Sequence, residues 1–337
     1  MTNNNSYLVL YANCIPVKGA IRSTICDLQR GKWYYIPNDL YEILINYNKC
    51  KLGDIYSKYE KTNHEILNEY FAFILKNDLG FLDDDLRGFV ALNNEWDYPG
   101  HISNCVIDID NLSFANFKYK EVIDQLDQLN CACLQYRLFD GAKPSTVKKL
   151  LSFTLDTRLN DIKLVLKYDK DLDDLLRTLI DKHKRLSQIV YFGANESSVD
   201  IFKDVQIIYM THKTLTAGDC GVVCPSMFSV NTEHYTESLN YNTCLNKKVS
   251  IDASGFIKNC PSQTESFGHI DADSIFEVIS NQMFQELWKI KKDDVQVCKD
   301  CEHRYICTDC RIFINSPEDK FSKPKKCTYD PYTASWI

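Results

Sequence analysis

Between Cys244 and Cys327 the chain carries seven cysteines, and no other stretch constrains its fold as strongly. The order is Cys244, ten residues, Gly255, four residues and Cys260. After a gap come Cys298-x2-Cys301, five residues, Cys307-x2-Cys310, sixteen residues and Cys327. The chain shows no secretory signal, so a disulfide framework is the weaker reading. Thiolates at close spacing in a reducing compartment are metal ligands first, and this spacing suits iron–sulfur clusters and zinc alike. Val249 to Ile257 reads as strand, tight turn, strand, with Ser254-Gly255 supplying the positive φ a hairpin needs. Such a hairpin brings Cys244 and Cys260 together.

The run resembles the SPASM domain, the C-terminal extension of many radical SAM peptide-modifying enzymes. That family's pattern is Cys, nine to fifteen residues, Gly, four residues, Cys, a gap, Cys-x2-Cys-x5-Cys-x3-Cys, a gap and Cys. This chain departs from it at one place, where two residues instead of three separate Cys307 from Cys310. The resemblance implies two [4Fe–4S] clusters. One would use Cys244, Cys260, Cys310 and an upstream cysteine. Cys220 is favoured for that place because it opens a Cys-Gly pair after a predicted strand, and Cys224 is the alternative. The other cluster would use Cys298, Cys301, Cys307 and Cys327. Zinc at the same thiolates is the competing cofactor. His303, inside the motif, is the histidine to test as a hydrogen-bond partner of a ligand.

The 337 residues, 45% hydrophobic and 25% charged, are ordinary for a globular chain of two or three domains. The expected class is α/β. The net charge of -7 is spread along the chain, and the densest basic run, Lys182 to Arg185, reads as the solvated end of a helix. Neither feature suits nucleic acid. Nothing approaches a transmembrane span, and Met1 to Ser6 is polar, unlike a signal peptide. Fifteen cysteines on such a chain fit the cytoplasm.

Residues 1–90 read as two or three antiparallel strands (Tyr7–Tyr11, Ile21–Leu28, Lys32–Ile36) followed by three helices, the first N-capped by Asn38. This winged-helix-like order is similar to the leader-recognition element of ribosomal peptide biosynthesis, where an extended leader adds a strand to a sheet edge. Cys14, Cys26 and Cys50 read as buried small hydrophobes.

Across residues 100–215 strands and helices alternate, which argues a parallel sheet with crossover helices and an incomplete (β/α) barrel. A radical SAM barrel belongs before a SPASM domain and carries Cys-x3-Cys-x2-Cys after its first strand. Here that stretch is Asp110 to Phe117, without cysteine. The family's Gly-Gly-Glu-Pro is represented by Asp140-Gly141-Ala142-Lys143-Pro144, with lysine for the carboxylate that would meet the SAM amino group. The resemblance therefore implies a degenerate barrel without SAM, followed by a SPASM domain over residues 216–337. Cys131 and Cys133 read as structural. No Walker loop, Gly-x-Ser-x-Gly or Gly-x-Gly-x-x-Gly is present.

Taken whole, the chain resembles the peptide-maturation factors of grasp-with-spasm systems. The resemblance implies a factor that binds the leader of a ribosomally synthesised precursor peptide. It would act beside an ATP-grasp peptide ligase, carry two auxiliary clusters and cleave no SAM. A redox enzyme working through an auxiliary cluster and a zinc-stapled interaction protein are the alternatives.

Overall fold

The computed structural model describes residues 4–336, so the first three residues of the polar N-terminal stretch lie outside the described residues. In the N-terminal part, β1 (Tyr7–Leu10), β2 (Cys14–Val17), β3 (Arg22–Asp27) and β4 (Lys32–Pro37) precede α1 (Asn38–Asn46), α2 (Leu52–Ser57), α3 (His64–Lys76) and β5 (Gly80–Asp83). β2, β3 and β4 form an antiparallel sheet in that order, while β1 pairs with β5. Ile25, Ile36, Leu40, Ile74 and Leu79 pack between this sheet and the helices.

Two expectations change here. The strand at Cys14–Val17 is not among those read from the sequence, and it contains Pro16. It is accommodated because β2 is an edge strand, where a missing N–H can face away from the ladder. Asn38 is not an N-cap: α1 begins at Asn38 itself, and its amide donates to the carbonyls of Gly19 and Ala20 at 3.3 and 3.2 Å. Its carbonyl accepts from Ser23 Oγ at 2.6 Å, so Asn38 ties down the loop between β2 and β3.

The rest of the chain is organised by one sheet. Its strands are β6 (Asn104–Asp108), β7 (Cys133–Leu138), β8 (Asp161–Lys167), β9 (Leu186–Phe192), β10 (Ser198–Phe202), β11 (Val205–Met210), β12 (Lys248–Ile251), β13 (Phe256–Lys258) and β14 (Gly268–His269). The helices are α4 (Asn111–Asn116), α5 (Tyr119–Gln128), α6 (Pro144–Ser152), α7 (Lys170–Leu179), α8 (Thr232–Asn240) and α9 (Ile275–Ser280), and a small hairpin, β15 (Tyr329–Asp330) and β16 (Ser335–Trp336), follows. The strand order is 10-11-9-8-7-6-12-13-14. The six strands from β11 to β12 run parallel, and β10, β13 and β14 are antiparallel additions at the two edges.

The cysteine hairpin is thus part of this sheet. β12 lies parallel to β6, with Val249 beside Cys105 and Ile251 beside Ile107. Side chains alternate between the two faces. Ile107, Leu134, Leu164, Ile189 and Val249 enter the core under the helices, which runs without a break from Ile102 to Trp288. On the opposite face Asp108 accepts both arms of Arg137, at 2.6 and 2.8 Å, and Lys248 and Ser250 lie on the same side.

Three local differences have physical causes. Asp110 and Ser113 cap each other's backbone and turn the expected loop after β6 into α4. β10 departs from the usual strand pattern in that its apolar residues, Val199 and Ile201, face outward at 62% and 74% exposure. The basic run Lys182–Arg185 lies beyond α7, and Arg185 is not simply solvated, since it donates to the Leu159 carbonyl at 3.0 Å. No helix among the described residues is long and apolar enough to cross a membrane.

Candidate metal centre

The hairpin that begins the cysteine run turns at Gly255, whose φ of +84° is the conformation a tight turn requires. A side chain there would also meet His269 Nε2 at 2.7 Å and Phe117 Cζ at 2.9 Å. Asp252 fixes the turn by accepting from the N–H groups of Ser254 and Phe256 at 2.9 and 3.0 Å. Cys244 lies just before β12, and Cys260 lies two residues after β13.

The eight thiols of the sequence argument fall into two neighbourhoods. Burial pushes the Cys244 thiol up to about 12; the Lys248 ammonium opposes this, while Cys260, Cys310 and Cys220 push it further. Burial also raises Cys310, the N–H groups of Phe313 and Ile312 lower it, and Cys260 and Cys220 raise it. Gly221, at φ +84°, leaves room for this approach: a Cβ there would stand 3.0 Å from Cys310 Sγ. Cys220 is exposed, whereas Cys260 and Cys310 are buried. Cys224 Sγ lies 3.1 Å from Ser226 Oγ.

The second neighbourhood holds Cys298, Cys301, Cys307 and Cys327. Burial raises the Cys307 thiol to about 11, opposed by Lys292 and reinforced by Cys327 and Cys298. Burial raises Cys301 strongly; the His303 N–H lowers it, and Cys307 and Cys298 add to the rise. Cys298 is presented by a strained turn. Its N–H bonds the Gln296 carbonyl at 2.7 Å across Val297, which sits at φ +66° and ψ -45°. That is a γ-turn of the rare hand on a β-branched residue, a strain of about 1–3 kcal/mol of the kind found at functional sites.

Two residues touch this second group. His303 is buried; its N–H donates to Cys301 Sγ at 3.4 Å, and its Nδ1 lies 3.8 Å from the same sulfur. Its Nε2 meets the Tyr35 hydroxyl of β4 at 3.0 Å. Lys292 is 4% exposed, and its ammonium donates to Cys298 Sγ at 4.0 Å and Cys307 Sγ at 3.7 Å, with Asp309 Oδ1 at 3.5 Å. Burial works against that charge, but Cys298, Cys307 and Asp309 outweigh it and hold the Lys292 pKa well above the ordinary range. Lys292 was not among the residues expected from the sequence; it stands six residues before Cys298 in a lysine-rich stretch that resembles solvated surface.

Thiols in two groups, the second with the Lys292 ammonium 3.7 and 4.0 Å from two of its sulfurs, suit a metal centre that keeps negative charge. A single zinc ion would need its sulfurs about 3.8 Å apart, from a Zn–S bond of about 2.3 Å in tetrahedral geometry. Among the described residues no three of these thiols lie within 4.8 Å of one another; the group that does is Cys301, Glu302 and His303.

No family model and no curated protein matches the chain. Among solved structures it is similar to Streptococcus suis SuiB bound to precursor peptide SuiA, at 8% identity and a TM-score of 0.36 over 95% of this chain and 99% of that one. A second similar structure is Streptococcus suis SuiB bound to S-adenosylmethionine, at 9% identity and a TM-score of 0.34 over 95% and 99% of the two chains. Superposition at that level does not establish a shared fold.

Proposed function

We propose that this chain is a maturation factor for a ribosomally synthesised peptide, with two [4Fe–4S] clusters in a SPASM-like C-terminal region. Cys220, Cys244, Cys260 and Cys310 would hold one cluster, and Cys298, Cys301, Cys307 and Cys327 the other. The observation that carries this reading is the grouping of eight cysteines, spread over more than 100 residues, into two sets of four, with the Lys292 ammonium against the second. Thiolate tetrads hold either [4Fe–4S] clusters or zinc, and the motif spacing is the ground for preferring clusters. Such clusters, when bound, supply one-electron transfer. Cys220 is preferred to Cys224 because its thiol acts on both Cys244 and Cys310.

The winged-helix-like N-terminal part would take the leader of the precursor along β4. β4 is an outer strand of its sheet, and it keeps an unbroken row of N–H groups from Lys32 to Ile36, whereas Pro16 interrupts the other edge. Strand addition draws on these backbone groups. Tyr35 on β4 meets His303, two residues from Cys301, so the bound leader would lie close to the second cluster. Partnership with an ATP-grasp ligase and the lack of SAM cleavage rest on the sequence resemblance. A redox role is the second reading; the exposure of Cys220 favours it, since the first cluster would then open toward solvent.

The test is binding of synthetic candidate precursor peptides to the full-length protein. Affinity should survive alanine replacements through the leader and fail when proline replaces a residue whose N–H faces β4. Equal binding by every proline variant contradicts strand addition.

A further inference from the structure

Around Cys298 and Cys307 the buried charges do not balance without the sulfurs. Lys292 and Arg311 are cations at 4% exposure each, and Asp309, at 1%, is the carboxylate between them. Arg311 engages that carboxylate at 2.7 and 3.1 Å, and Asn242 donates to it at 2.8 Å. Lys292 is left with a long 3.5 Å approach to Asp309 and with two sulfurs, at 3.7 and 4.0 Å. A buried ammonium needs an anionic partner, and metal-bound thiolates at Cys298 and Cys307 would supply it.

The position matters as much as the charge. Asp309 stands between Cys307, in one thiol group, and Cys310, in the other. Lys292 approaches Asp309, and its sulfur contacts are both in the second group. Hydrogen bonds and charge at cysteine sulfurs set the reduction potential of an iron–sulfur cluster, because added negative charge is stabilised by a nearby cation.

We propose that Lys292 is a positioning residue that raises the reduction potential of the cluster held by Cys298, Cys301, Cys307 and Cys327 and leaves the other cluster's potential unchanged. This rests on the reading of two clusters given above. The chemistry concerned is the passage of one electron from dithionite to the four-iron core, from 2+ to 1+. No bond is made or broken, and Lys292 keeps its proton throughout.

The experiment is a potentiometric titration of the anaerobically purified full-length protein, followed by electron paramagnetic resonance. Lys292→Met should shift the reduction equilibrium of one centre at least tenfold toward the oxidised form, about 59 mV for one electron. The other centre should stay in place, and Lys292→Arg should remain close to wild type. Asp309→Asn removes the competing negative charge and should move the same centre in the opposite direction, so it carries the test if Lys292→Met does not fold. Unchanged midpoints in the folded variants overturn the inference, as do equal shifts for Lys292→Met and Lys292→Arg, which would mean packing and not charge. A wild-type protein without iron and sulfide overturns the two-cluster reading itself, and the inference with it; that outcome is visible before any variant is made.

Discussion

Thr24 Oγ1 on β3 donates at 2.9 Å to the carbonyl oxygen of Glu302, the residue between Cys301 and His303. Around this bond the N-terminal sheet rests on the cysteine loop. The Ala20 N–H bonds the Asp300 carbonyl at 2.9 Å, and Arg22 Nε donates to Glu302 Oε1 at 2.8 Å. Val17, Cys26 and Leu28 pack against Val230, Tyr235 and Ile306 behind it. The same short loop that carries Cys298 and Cys301, the proposed metal ligands, therefore supports the strands that would receive a peptide.

Metal binding and folding are coupled in small metal regions, so loosening this loop should loosen the sheet. Cys301→Ala, or chelation of the metal, should increase hydrogen exchange in β3 and β4 while leaving β7 and β8 protected. Unchanged exchange in β3 and β4 would show that the sheet does not depend on the loop's metal.

Arg22→Ala should destabilise the protein by about 2 kcal/mol, because it strips a charged donor from a carboxylate whose side chain is 0% exposed. The figure lies below that for a fully buried pair because Arg22 is 30% exposed and the Tyr329 hydroxyl still donates to Glu302. Chemical denaturation of Arg22→Ala and of Arg22→Ala with Glu302→Gln checks it. The double variant should recover part of the loss, since an amide tolerates burial better than an unpaired charge.

Glu237 on α8 gives a pH dependence of known sign. Burial pushes its carboxyl up to about 7, although Asn246 donates to it at 2.9 Å. A carboxyl raised on folding stabilises fully below its unfolded range, near 4, and that stability is lost as pH rises through about 7. Glu237→Gln should therefore be more stable than wild type at pH 8, by up to about 3 kcal/mol, and the gap should shrink at pH 5. Urea denaturation at the two pH values measures it; a gap independent of pH would contradict the assignment.

The strands β6 to β9 and β11 were legible because each is an apolar run between turn signals, and Gly255 marked the hairpin by its turn chemistry. What local pattern could not show was where the hairpin goes. The pairing of Val249 with Cys105 spans 144 residues, and nothing in either strand's periodicity names its neighbour. Lys292 was hidden for a related reason. A lysine six residues from a cysteine has no signature until the fold buries it, and only then does its charge become informative. β2 and β10 broke the usual strand rules, one through Pro16 and the other through outward-facing Val199 and Ile201.

The central claim, two four-iron clusters held by eight named cysteines, is tested most directly by iron, zinc and acid-labile sulfide analysis of anaerobically purified wild type beside Cys220→Ala and Cys224→Ala. Wild type should hold iron and sulfide in equal amounts, at two clusters per chain. Cys220→Ala should lose one cluster, and Cys224→Ala should keep both. Zinc without sulfide in the wild type, or loss of a cluster from Cys224→Ala but not from Cys220→Ala, would contradict the account.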